Sequence, residues 1–200
     1  MKSMKFKNIL AALALGWAAV AGNAGAAVLT FDSLTRFGSY GNGEALLGSM
    51  SASGQSLSYQ ESGFVLTLTT PNAPDGAAHI GDGTYEPQTF NWHDGIENGV
   101  DSFVTLTRVG GGLFNLISFD YYTDWSVLSA DGSQVGELQG WDSWTTRLNG
   151  ISELRLSSGA YNEIDNVNVE TASAAVPLPG TLPLLLSGLI ACAVVRRRRQ

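Results

Sequence analysis

Two apolar segments, one at each end of this 200-residue chain, bound the part that is left to fold as a globular unit. The C-terminal segment runs 14 residues, from Leu182 to Val195. Ahead of it stand Val176, Pro177, Leu178, Pro179, Gly180 and Thr181; behind it come Arg196, Arg197, Arg198, Arg199 and Gln200. As a helix the run measures about 21 Å at about 1.5 Å per residue, against a hydrocarbon core of about 30 Å. Counting back to Pro177 makes the span barely adequate, and the positive-inside rule keeps the arginines cytoplasmic. At the other end, Lys2, Lys5 and Lys7 precede a 13-residue apolar run from Ile9 to Ala21. Ala24, Gly25 and Ala26 supply the small residues that signal peptidase requires, which predicts cleavage after Ala26.

The order of the C-terminal parts, a Pro/Gly cluster, a short apolar run and a basic end, resembles the PEP-CTERM sorting signal of Gram-negative bacteria. Pro177-Leu178-Pro179 stands where Pro-Glu-Pro is commoner, while Gly180-Thr181, the spacing and Arg196–Arg199 match. The resemblance covers residues 176–200 and implies recognition by an exosortase. It also implies export through the inner membrane, a transient tail anchor, and a final place at the cell surface or outside the cell. The host it implies makes an extracellular polysaccharide. An ordinary C-terminal membrane anchor shares this topology and differs in keeping the segment. The organisation expected is a signal peptide at 1–26, a globular domain at 27–171, a linker at 172–175 and the tail at 176–200. Within the tail, 182–195 is the transmembrane helix and 196–199 the basic end.

Removing the ends changes the charge. Three of the 11 Lys and Arg lie in the signal and four in the tail, leaving Arg36, Arg108, Arg147 and Arg155. All 18 Asp and Glu fall between Asp32 and Glu170, so the domain carries 4 − 18 = −14. Such a surface repels phosphate backbones and excludes nucleic acid as a partner. The sole cysteine, Cys192, sits in the apolar tail, so the domain holds together without a disulfide.

The domain reads as all-β. Phe64, Leu66 and Leu68 alternate with Val65, Thr67 and Thr69, the period of two expected of a half-buried strand. Val104 and Leu106 repeat the pattern within Ser102–Val109, and Leu113–Tyr122 is the most apolar stretch, with Ile117, Phe119 and Tyr121 expected on one face. Further short runs lie at Val28–Phe31, Trp125–Ser129, Gln134–Leu138, Ser143–Leu148, Ile151–Leu156 and Ile164–Val169, and Asp131-Gly132 signals a tight hairpin. Even spacing of short strands predicts an antiparallel β-sandwich of the jelly-roll, carbohydrate-binding-module-like kind, or a barrel. A signal helix and a transmembrane helix flank it. Phe37–Ser58, with one turn of helix near Glu44–Leu47, and Thr70–Val100 read as long irregular segments.

Within the second of these, Tyr85–Asp94 gathers aromatics, amides and carboxylates into what reads as one loop. An aromatic face stacks on a sugar ring while neighbouring polar groups take its hydroxyls, so Trp92, Asn91, His93 and Asp94 are the candidate ligand residues. Trp125, Trp141 and Trp144 offer further platforms, or else support the core. His79 and His93 lack flanking ligands and do not indicate zinc. Oxygen donors suit calcium better. The stretch Gly159-Ala160-Tyr161-Asn162-Glu163-Ile164-Asp165-Asn166-Val167 is similar to the start of the last strand in jelly-roll carbohydrate-binding modules. That resemblance implies a structural calcium held there by Asp165, joined across the ends of the sandwich by Asp32. No Gly-x-Ser-x-Gly elbow, serine triad spacing or phosphate-binding glycine loop is present. The expectation is an exported, non-catalytic glycan-binding or structural domain; the alternative is a secreted glycoside hydrolase or other polysaccharide-acting enzyme.

Overall fold

The computed structural model describes residues 25–35, 40, 41, 43, 44, 46–81, 88–93, 102–158 and 161–172. All of the expected signal peptide but Gly25 and Ala26, both expected terminal helices and the sorting tail lie outside the described residues, as does Asp94. Residues 24–172 form one compact unit. Every regular element described in it is a strand, and every pairing is antiparallel.

The organising element is a hairpin made of β9 (Phe114–Ala130) and β10 (Ser133–Trp144), closed by Asp131-Gly132. Both turn residues have positive φ, 48° and 78°, the pairing that matches the natural twist of two strands. Asp131 also ties this turn to the approach of a later strand: its Oδ1 accepts hydrogen bonds from Ser152 N, Ser152 Oγ and Glu153 N. These contacts, that of Ser152 Oγ first, hold its carboxyl below the usual range.

The two halves of this hairpin serve different layers. Val127–Ala130 of β9 and the start of β10 continue a layer running through β12 (Leu154–Ser158), β8 (Phe103–Arg108), β5 (Phe64–Thr69), β4 (Ser56–Glu61) and β3 (Met50–Ser53). Phe114–Thr123 and the end of β10 belong to a layer with β13 (Tyr161–Thr171), β7 (Phe90–His93), β6 (His79–Ile80) and β2 (Tyr40–Gly41). There β1 (Ala26–Leu29) also pairs with β13, and β11 (Leu148–Ile151) with β9. The layers face each other across one core. Tyr59 of β4 meets Phe90 of β7 with ring centroids 6.3 Å apart, and Phe64 of β5 meets Phe114 of β9 edge-on at 5.4 Å.

Strand β9 passes between layers by breaking its alternation. Leu138 pairs with Ser126 and Gly140 with Thr123, so Asp124 and Trp125 together oppose Gln139 and both are exposed. A second irregularity lies between Asn168–Ser118 and Val169–Leu116, where Ile117 is the extra residue. The expected shared face holds for Phe119 and Tyr121, whose rings lie 5.9 Å apart against the core, and is corrected for Ile117. Phe114 and Leu116 are buried before the bulge, Phe119 and Thr123 after it, and Ile117 is only half-buried. Extra residues bend strands and re-aim side chains, and the hairpin bends enough to bring Trp144 over Gly136 of the same strand. Trp144 also stacks on Phe119, with centroids 6.4 Å apart, and closes the edge of the core.

Phe64, Leu66, Leu68, Val104 and Leu106 are buried as the alternation predicts. The reading of Phe37–Ser58 as irregular is corrected: it contains β2, β3 and the start of β4, and no helix occurs among its described residues. Only Met50, Leu57 and Tyr59 turn inward from β3 and β4, leaving serines outside, so the apolar pattern is too sparse to read. Strand β1 begins at Ala26, and a mature chain starting at Ala27 keeps the pairs of Ala27, Val28 and Leu29 with β13.

Candidate functional site

Trp92 does not lie on a loop. It sits in β7, opposite Asn162 of β13, and is 2% exposed. Its ring packs on Phe90 at 5.8 Å, and Phe90 packs in turn on Phe31 at 5.5 Å. Trp92 is thus a core side chain and not a platform, because β-pairing of Phe90–His93 turns both Phe90 and Trp92 inward. Its Nε1 is buried without a hydrogen-bond partner. Asn91 points to the other face and is buried as well.

That other face carries a cleft of about 490 Å³. Cross-strand register builds it in rows. One row runs Trp141–Tyr122–Glu163, across β10, β9 and β13, and continues beyond the cleft to Asn91 of β7. The next runs Ser143–Asp120–Asp165. Residues paired in register share a face, so the first row sets an aromatic pair beside a carboxylate and an amide. The Trp141 and Tyr122 rings lie 4.6 Å apart, inclined by 30°. Trp141 is 71% exposed, the most open large apolar side chain among the described residues. Thr89 and Asp142 complete the rim.

The second row sets two carboxylates directly opposite, a destabilising pairing unless donors intervene. Asn166 supplies one. Held at φ 49° in a bulge of β13, it donates from Nδ2 to Asp120 Oδ2 at 3.0 Å and to Asp165 Oδ2 at 3.1 Å. Ser143 Oγ donates to Asp120 Oδ1 at 2.6 Å. Asp165 Oδ1 is buried and has no partner. Burial, with the charges of Asp120, Asp32 and Glu61, pushes the Asp165 carboxyl above its ordinary value. Burial, then the charge of Asp142, likewise raises the Tyr121 hydroxyl.

Asp32 and Glu61 are among the charges that raise the Asp165 carboxyl. Glu61 is committed: Oε1 accepts from Thr30 N at 3.0 Å, and Oε2 from Phe31 N at 3.2 Å and Tyr59 Oη at 2.8 Å. Burial, reinforced by Glu61, lifts the Tyr59 hydroxyl to about 12. Among the described residues no group of three or more His, Cys, Asp or Glu is disposed to hold a metal ion.

The backbone of His93 pairs with Tyr161. The sequence pointed to Trp141 only as one platform among several, and it missed Tyr122, Asp120, Asp142 and Glu163. A usable signal was present in Tyr121-Tyr122: adjacent residues in a strand point to opposite faces, so one of two consecutive tyrosines had to leave the core.

No protein-family model and no curated protein matches the sequence. A solved structure to which the chain is similar is a mutant of CBM29-2, a family 29 carbohydrate-binding module, complexed with mannohexaose. The similarity spans 74% of this chain and 92% of that one, at 10% identity and a TM-score of 0.32.

Proposed function

We propose that this is an exported, exosortase-sorted protein whose domain is a jelly-roll, carbohydrate-binding-module-like sandwich that binds extracellular polysaccharide without catalysis. The observation that carries the glycan reading is the pairing of an open Trp141 with Tyr122 along one cleft, next to polar side chains in register with it. Apolar sugar faces stack on such rings, and hydroxyls take the flanking acceptors. The test is binding to a polysaccharide panel by the parent and by Trp141→Ala. Loss of binding with an unchanged melting temperature supports the reading, and undiminished binding sinks it.

A hydrolase is the second reading, favoured by several carboxylates in one cleft and by the raised pKa of Asp165, the property a general acid needs. Against it, the free oxygen of Asp165 is out of contact with solvent, where no glycosidic oxygen reaches it. Release of reducing sugar from bound polysaccharide, abolished in Asp165→Asn, would establish it.

For calcium, the orphaned Asp165 Oδ1 is the feature that fits an ion, with Asp165 and Asp32 as the residues that would hold it and neutralise charge there. Export and sorting rest on the terminal sequences: signal peptidase removes residues 1–26, and the exosortase acts at Val176–Gly180 while Leu182–Val195 lies in the inner membrane. Intact mass of the surface form should show a start at or beside Ala27 and no Arg196–Arg199 block. Recovery of that block on the stable surface form would leave a plain anchor.

A further inference from the structure

Resting on the glycan reading of the Trp141–Tyr122 cleft, we infer that its ligand is an amine-bearing polysaccharide, a polymer of hexosamine with free, protonated amino groups, and not a uronic-acid polymer.

The cleft has one sign of charge. Asp120, Asp142, Glu163 and Asp165 all line it, and no lysine, arginine or histidine does so among the described residues. The described arginines are spent elsewhere. Arg108 donates to Leu113 O, Arg147 to Asn149 and Glu170, and Arg155 lies 3.6 Å over the Phe103 ring. A carboxylated sugar entering here meets acids with no cation among the described residues to offset them, inside a domain of charge 4 − 18 = −14. A neutral sugar satisfies the rings and leaves the charge unused.

A protonated hexosamine uses both. Its ring stacks on Trp141 as any pyranose does, and its ammonium gains from the electron-rich faces of Trp141 and Tyr122. The acids differ in what they have left to give. Asp120 has both oxygens engaged, by Ser143 and Asn166. Asp142 is in register with Tyr121, not Tyr122, so it meets the cleft only at the rim; there it is exposed and accepts from Ser143 N with Oδ1, leaving Oδ2 as the acceptor for an ammonium that overhangs the strand edge. Three amine protons match that acceptor better than a hydroxyl does, since hydrogen bonds to charged groups are the stronger kind.

The experiment titrates the full chain, in a detergent without a sugar headgroup, with three oligomers of equal length: glucosamine, N-acetylglucosamine and cellulose-type glucose. The glucosamine oligomer should bind at least tenfold more tightly than its acetylated counterpart. Asp142→Asn should remove about tenfold of that affinity, equivalent to about 1.4 kcal/mol, and leave the neutral oligomers unaffected. Trp141→Ala keeps every charge and should abolish binding of all three. Amine binding that survives Trp141→Ala overturns the inference, because the polymer is then merely condensed on an acidic surface. Equal affinity for the three oligomers overturns the ligand class and leaves the glycan reading standing. Binding of none of them, nor of any other glycan, overturns both.

Discussion

Trp92 and Trp141 lie on opposite faces of the same layer, and in the sequence they look alike. Each has an asparagine or aspartate beside it and a second aromatic within reach. In the fold, Trp92 is 2% exposed and Trp141 71%. The difference comes from register. Trp92 shares its row with Asn162 and Thr123, whose buried side chains bond to each other, Thr123 Oγ1 donating to Asn162 Oδ1 at 2.6 Å. Trp141 shares its row with Tyr122 and Glu163 on the outer side. A slip of one residue in either strand would exchange the faces, so the assignment of an aromatic to core or ligand is a property of pairing and not of its neighbours in the chain.

The largest test of this contrast is the pair of truncations. Trp92→Ala should destabilise by about 3–5 kcal/mol, the usual cost of emptying so large a buried site, with a matching fall in the denaturant midpoint. Trp141→Ala should shift the midpoint hardly at all while removing glycan binding. Similar stability losses in the two variants would break the distinction.

Trp144 stands between these extremes and sharpens it. A Cβ on Gly136 would come within 2.6 Å of Trp144 Cζ3, and the ring is pinned by Nε1–H donation to Thr146 O at 2.7 Å. Gly136→Ala should therefore cost about 1–3 kcal/mol as overpacking does, and near-UV dichroism should report the displaced indole. An unchanged spectrum and midpoint would show that the hairpin is less tightly bent there.

The strands that alternate cleanly, Phe64–Thr69 and Phe103–Arg108, were legible because each buries every second residue in the middle of one layer. The Asp131-Gly132 turn was legible because its residue types suit positive φ. What stayed hidden has a common cause. Bulges at Ile117, at Asp124–Trp125 and at Asn166 shift the parity of β9 and β13, so a period of two read from one end fails at the other. The cleft is assembled from residues 120–122, 141–143 and 163–165, on three strands whose pairing no local pattern encodes, and from Thr89 just ahead of a fourth. Asp32 follows the first strand and Asp165 lies in the last, and β1 pairs with β13.

A smaller effect tests the outer face by itself. Because the Asp165 carboxyl is raised in the folded state, the native protein holds that proton to higher pH than the unfolded chain does, and stability from this group falls as pH rises. In chelator at about pH 7, Asp165→Asn should thus melt above the parent. The gap should close as pH falls toward the ordinary aspartate value of about 3.9. A lower melting temperature for the variant at neutral pH would show that the charge is compensated. The smallest expected change is the ionic one: millimolar Ca²⁺ should raise the melting temperature of the parent more than Mg²⁺ at equal ionic strength, and the variant should not distinguish them. Equal shifts for the two ions in the parent would mean screening alone.

The hairpin β9–β10 runs through both layers, and this ties their fates. Two leaves joined only by loops can open one at a time, each with its own free energy of opening. Here Phe114–Ala130 supplies hydrogen bonds to β13 in one leaf and β12 in the other, so neither leaf parts from the hairpin without exposing the shared aromatic core. Amide protons in β12 and β13 should accordingly exchange with solvent in a single event, at the free energy of global unfolding, and a ligand seated on Trp141 would slow exchange as far away as β5.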